Sequence, residues 1–136
     1  MKYRCGNMDV TNVWEALNEF KKVVNNSTSI QNELKKWGNR IIQFIVKAGE
    51  DCCIMVREGK LAIEKGKNPN PDLTFTALDG HFLNWITGQT DYTSLDIIGD
   101  IEFKGKGPDK NKFISIIGLF VAALLGELDE LEELEE

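Results

Sequence analysis

The sequence predicts an α+β domain: one five-stranded, mostly antiparallel sheet with helices packed on one face. Three features predict it. Apolar residues recur at helical spacing near both ends of the chain, β-branched residues alternate with polar ones through its middle, and glycines and prolines separate the alternating runs. With 136 residues, 42% hydrophobic and 28% charged, the composition is that of one globular domain rather than a disordered or fibrous chain.

The first element is a helix. Val10, Val13, Trp14, Leu17, Phe20 and Val24 recur at intervals of three and four, which puts them on one face. Asn25 and Asn26 interrupt that pattern. Thr28 with Gln31 reads as a capping box that opens a short second helix to about Lys36, stopped by Gly38. The period then falls to two. Arg40 to Ala48 and Cys52 to Arg57 form a hairpin across Gly49, Glu50 and Asp51, and the Glu58-Gly59 turn leads into a third strand, Lys60 to Lys65. A loop with two prolines, Gly66 to Pro71, precedes a fourth strand in which Leu73, Phe75 and Ala77 face one side. Asp79 is placed to cap a helix through Phe82, Leu83, Trp85 and Ile86, and Gly88 stands at its C-terminal end. Gln89 to Ile98 reads as a connector. A fifth strand, Asp100 to Lys104, ends in a Gly105, Gly107, Pro108 turn, and the segment from Asn111 onward is helical.

Charge and cysteine use narrow the function classes. The formal charge is −6, and the seven acids of residues 127–136 leave 15 acids against 16 Lys and Arg in the body, which is no broad nucleic-acid surface. Three cysteines, two of them adjacent, make no disulfide framework, and Met1 to Asn7 is too polar for a secretory signal, so a cytoplasmic protein is expected. The longest apolar run, Phe113 to Leu125, has 13 residues with Ser115 and Gly118 inside it, short of the ~20 that span a bilayer.

Catalytic chemistry is thinly supplied. His81 is the sole histidine, in the first turn of its helix, where solvent or a local hydrogen bond is expected to take the ring. No cysteine or second histidine stands at ligand spacing to it. Cys52 and Cys53, neighbours on a strand, point to opposite faces, one expected in the core and the other half-exposed, and cannot share an ion. Gly105-Lys106-Gly107-Pro108 lacks the spacing of a phosphate loop. These readings predict no enzyme, no catalytic residue, no metal and no cofactor. Lys104, Lys106, Lys110 and Lys112 cluster about one turn, where such residues usually just solvate the loop but also allow transient contact with an anionic membrane surface.

What remains is an apolar surplus. Phe82, Trp85, Ile86, Leu95, Ile97, Ile98 and most of Phe113 to Leu125 exceed what one sheet face requires. Composition alone favours plain core packing with a dimer interface; the alternative is a cavity between sheet and helices that holds an apolar ligand.

At this point two segments resemble the sterol carrier protein type 2 lipid-binding domain family: Asp79-Gly-His-Phe-Leu-Asn-Trp-Ile-Thr-Gly88 and, ten residues on, Gly99-Asp-Ile-Glu-Phe-Lys-Gly105. The Pro71 to Thr76 strand and the Arg57 to Lys60 turn fit as well, so the resemblance runs over about residues 10–125. It implies a five-stranded sheet, a hydrophobic tunnel beneath the helices, and a terminal helix that closes it. It also implies ligand-binding roles for Phe82 and Ile86 on the glycine-ended helix, Ile101 and Phe103 on the last strand, and Phe113, Ile117 and Phe120 on the terminal helix. Phe75, Leu95, Ile98, Val121 and Leu124 complete the expected lining. Leu95-Asp96 departs from the family's small-then-apolar pair, and Cys52 to Val56 lacks the tryptophan common in the early strands.

The expectation is therefore a lipid-binding domain over residues 1–126 with an acidic helical extension over 127–136. It would bind or transfer an apolar lipid of fatty acyl, sterol or isoprenoid type. Two other readings stay open: a protein-interaction or dimerisation module, and an accessory factor that presents a lipid substrate to a partner enzyme. Ile114, Ile117, Val121, Leu124, Leu128 and Leu131 form a short heptad-like seam through which a homodimer is conceivable.

Overall fold

The apolar side chains that five strands turn to one side decide which way the sheet faces. In the computed structural model, residues 3–5 and 8–124 are described, with side chains from Val10 onward. The acidic extension and the Leu128–Leu131 part of the seam lie outside the described residues. The elements are β1 (Tyr3–Cys5), β2 (Met8–Val10), α1 (Val13–Asn25), α2 (Thr28–Trp37), β3 (Arg40–Lys47), β4 (Cys52–Arg57), β5 (Lys60–Lys65), β6 (Leu73–Leu78), α3 (Asp79–Ile86), α4 (Tyr92–Ile98), β7 (Ile101–Gly105) and α5 (Gly107–Leu124). The main sheet has the order β5-β4-β3-β6-β7, as the α+β reading anticipates. Inward positions Ile42, Phe44, Ile54, Val56, Leu73, Phe75 and Ile101 are buried under the helices.

The central pair, β3 with β6, is parallel, while its other neighbours are antiparallel. Asp72 sets this register: its backbone N–H donates to the Ile41 carbonyl at 2.8 Å and its Oδ2 accepts from the Ile41 N–H at 2.8 Å, so Leu73 falls beside Ile42. The connection from β5 to β6 runs over the sheet's other face, held by the buried Gln43. Its amide nitrogen donates to the Cys52 and Gly66 carbonyls at 3.1 and 3.0 Å, and its oxygen accepts from the Asn68 N–H at 2.7 Å. Cys53, the register partner of Gln43, is therefore buried rather than half-exposed. Burial pushes the Cys52 thiol up to about 12 and raises Cys53 as well, so both stay protonated.

Other local readings change as well. Val10, expected on the first helix, instead ends β2, which pairs antiparallel with β1 (Tyr3 opposite Val10), a pairing too brief to show as a periodic pattern. The second helix is capped by Ser27, whose Oγ accepts from the Ile30 N–H at 3.3 Å, one residue before the expected Thr28. Asp79 does not cap its own helix; its Oδ1 accepts from the Val13 N–H at 3.0 Å and so serves the start of α1. Part of the expected connector is α4, opened by Asp91, whose side chain accepts from the Ser94 N–H, and closed by Gly99 at φ 88°.

Helix α5 begins earlier than Asn111, with Pro108 in its first turn, where a missing N–H costs nothing. Asp109 Oδ1 accepts from Trp37 Nε1 at 2.9 Å and from Arg40 Nε at 3.4 Å, and Lys112 Nζ lies 2.6 Å from Glu33 Oε2. One turn on, Phe113 packs its ring against Phe20, Trp37, Phe44, Phe75 and Trp85.

Phe113→Ala removes a ring shared by α1, α2, α3 and the sheet, and is expected to cost about 3–5 kcal/mol in urea unfolding. A loss below about 1 kcal/mol would contradict this placement. The Lys112 hydrogen bond and charge, aided by Lys36, hold the Glu33 carboxyl below its ordinary 4.5. A depressed carboxylate stabilises the fold above the unfolded pKa, and that stability is lost as pH falls through the folded value. Lys112→Met is therefore expected to lose less stability than the unmodified chain when acidified below pH 4.5. Because the pair is partly exposed, the difference is under about 1 kcal/mol; superimposable acid limbs would contradict it.

Candidate functional site

The terminal helix divides into two halves with different surroundings. Phe113, Ile116, Ile117 and Phe120 are buried, whereas Ile114, Leu119 and residues 121–124 are half-buried and Gly118 is open. These half-buried apolar side chains pack against the edge of the core and leave part of their surface uncovered.

Side chains expected to line a hollow are in contact with one another. Phe75 has ring centroids of Phe44, Trp85, Tyr92, Phe103 and Phe113 within 5.1–5.9 Å. Phe82 meets Phe44 at 5.1 Å, and Phe120 meets Phe20 at 4.9 Å. Ile86, Leu95 and Ile101 are buried in the same cluster, while Phe103, Val121 and Leu124 pack half-buried on its edge. Ile98 does not join them. It is 70% exposed beside Ile97 at 80%, on the outer side of α4.

Open space lies one layer further out, between α5 and the corner where α3 turns into α4. This groove has a volume of about 270 Å3. Trp85, Gly88 and Tyr92 form one wall with Thr90 and Asp91 at the rim; Ile114, Ile117, Gly118 and Val121 form the other. Of the residues expected to bind ligand, Ile117 and Val121 are in these walls. Two glycines shape the groove. At Gly88, φ is +79° and a Cβ would come within 2.7 Å of Val121 Cγ1, so the corner and α5 touch there only because no side chain intervenes. At Gly118 a Cβ would meet nothing within 4 Å, so this residue leaves the space open.

The corner is rigidly tied. The Thr87 hydroxyl donates to the Leu83 carbonyl at 2.6 Å, and the Thr90 N–H donates to the Asn84 carbonyl at 2.9 Å. Asp91, accepting from Ser94, is held below the usual carboxylate range. Tyr92 is 4% exposed, and its hydroxyl finds no hydrogen-bond partner among the described residues. Burial, with a smaller contribution from the Asp96 charge, pushes the phenol up to about 12, so it remains a donor at neutral pH. Beyond the groove's lining, Lys110 Nζ lies 5.9 Å from the Tyr92 ring centroid and 5.4 Å from that of Phe103.

Elsewhere the chemistry is sparse. His81 reaches across to the start of β7, with Nε2 3.5 Å from Asp100 Oδ2 and Nδ1 buried without a hydrogen-bond partner among the described residues. Among the described residues, no group of three or more His, Cys, Asp or Glu side chains is placed to hold a metal ion, and no helix is long and apolar enough to cross a membrane. Sequence reasoning missed Trp85, Gly88, Thr90, Asp91, Tyr92, Ile114 and Gly118 as groove residues. The Asp91-x-x-Ser94 cap was the available signal for Tyr92, since it places a helix start there; a glycine that leaves room carries no signal of its own.

Solved structures share this fold. The sterol carrier protein domain 2 of Helicoverpa armigera is 19% identical, with a TM-score of 0.64 over 79% of this chain and 85% of that one. Palmitated SCP2L2 from Aedes aegypti is 18% identical, with a TM-score of 0.55 over 79% of this chain and 95% of that one. A stereoselective inverting sec-alkylsulfatase from a Pseudomonas species matches at 18% identity and a TM-score of 0.56, over 65% of this chain but only 14% of the sulfatase. A search of curated proteins finds no match. The model of the SCP-2 sterol transfer family matches residues 17–114, which span α1 through the first turns of α5, and this chain belongs to that family.

Proposed function

We propose that the protein is a non-enzymatic, cytoplasmic carrier that binds an apolar lipid chain in the groove between α5 and the α3–α4 corner. The observation that carries this reading is the open apolar volume at Gly118, walled by Trp85, Ile114, Ile117 and Val121. Family membership supports it, as does the palmitated state of the Aedes aegypti relative. Partition supplies the affinity. Each buried methylene contributes ~0.8 kcal/mol, so about ten of them approach the −8 kcal/mol of micromolar binding before ordering costs are subtracted.

A volume of about 270 Å3 is slightly below the range of ~300–1,000 Å3 usual for ligand sites. A long acyl chain therefore extends past Val121 or displaces the half-buried end of α5. Phe113 and Phe120 hold the helix while its last turn yields, which makes residues 121–124 the gate.

Gly118→Leu tests the site. A Cβ there meets no atom within 4 Å, so a leucine side chain enters the open volume, and leucine is a better helix former than glycine by about 0.8 kcal/mol. The variant is expected to keep or raise its thermal midpoint while losing saturable uptake of a fluorescent fatty acid. Uptake equal to that of the unmodified protein, in a folded variant, would remove the groove as the binding site.

A further inference from the structure

The two edges of the main sheet are finished differently. At the β5 edge, Asn25 of α1 takes up the backbone of Leu61: its Oδ1 accepts from the Leu61 N–H at 2.9 Å and its Nδ2 donates to the Leu61 carbonyl at 3.1 Å. At the opposite edge, β7 receives no such bond from any described side chain or loop. A strand left in this state offers a row of backbone donors and acceptors to another strand. We infer that β7 pairs antiparallel, centred on Phe103, with β7 of a second copy of this chain, joining two five-stranded sheets into one.

The charge pattern names the occupant. Glu102 and Lys104 are exposed, stand on the helix-free face of the sheet opposite Thr76 and Thr74, and have no ion-pair partner among the described residues. With Phe103 on the two-fold axis, Glu102 of one copy lies opposite Lys104 of the other, and the reverse, while the two Phe103 rings face each other. Lysine on an edge strand ordinarily discourages pairing. Here it becomes half of two ion pairs, in one register only. Sliding the pairing until Glu102 or Lys104 sits on the axis sets like charges against each other, and a one-residue slip turns the side chains to opposite faces.

Uncovered apolar surface lies beside the same edge. Leu78, Ile97 and Ile98 are 46%, 80% and 70% exposed, and all three border the start of β7. Leu78 follows Ala77, the register partner of Ile101, and the two isoleucines precede Ile101 across Gly99 and Asp100. A second copy at this edge approaches surface that a lone chain leaves to water. No residue of β7 lines the groove beside α5, so the pairing leaves that groove open.

Light scattering of the full chain over a concentration series at low ionic strength tests the pairing. The two-chain mass is expected at the upper concentrations, falling to the one-chain mass on dilution. Glu102→Lys and Lys104→Glu each turn two attractive pairs into two repulsive ones. Each is expected to weaken self-association about 10-fold or more and, both positions being exposed, to keep the thermal midpoint. An equimolar mixture of the two variants restores the two-chain mass, because every charge again meets its opposite, and a chain carrying both substitutions self-associates like the unmodified protein. A one-chain mass for the unmodified protein at every concentration up to about 1 mM would overturn the assignment. So would a dimer that withstands both single substitutions, as one formed through the terminal helix would, or a mixture of the two variants that stays at the one-chain mass.

Discussion

Helix α5 holds its place because one ring is held on several sides. Phe113 sits where α1, α2, α3 and the sheet converge, in contact with Phe20, Trp37, Phe44, Phe75 and Trp85, just after Asp109 and Lys112 have tied the helix start to β3 and α2. Polar and apolar fastenings thus fall within two turns of each other. Beyond Phe120 no described residue plays the part that Phe113 plays, and the side chains of residues 121–124 are only half covered. The helix is thus fully buried on its inner face through Phe120 and only half covered over residues 121–124.

The groove follows from that asymmetry. The α3–α4 corner is rigid, its turn closed by Thr87 and Thr90 hydrogen bonds and its second helix capped by Asp91. Gly88 lets the corner approach α5 until Val121 touches it, and Gly118 withholds a side chain one turn away. Contact at one point and a gap at the next give a slot rather than a flat seam. The aromatic interior beneath it is already closed by ring-to-ring packing, so the slot is an outer layer with a hydrophobic floor.

Much of this was legible in the sequence, for a physical reason in each case. Helix α1 and strand β6 declare themselves because burial on one face enforces a period, and Val13, Leu17, Phe20 and Val24 are all buried as that period requires; β4, buried on both faces from Cys52 to Val56, shows instead as a short apolar run between turns. The parallel pairing of β3 with β6 was not legible, since alternation marks a strand without naming its neighbour, and the pairing depends on Asp72 reaching the Ile41 backbone. Asp79 satisfied a capping pattern but spends its carboxylate on Val13, because the start of α1 stands in front of it. As for the site, Ile117 and Val121 were found as apolar residues on the terminal helix, yet apolar character did not decide location: Ile98 is equally apolar and stands in solvent. Gly88 and Gly118 act through what they lack.

The central claim is that lipid enters the slot between α5 and the α3–α4 corner. Amide and methyl chemical-shift mapping of the full chain, titrated with lauric acid, tests it most directly. The account predicts perturbations concentrated at Gly88, Tyr92, Ile114, Gly118 and Val121, with the Gln43–Cys53 face of the sheet unmoved. Perturbations centred on that opposite face, or spread evenly with none at Gly118, would contradict it.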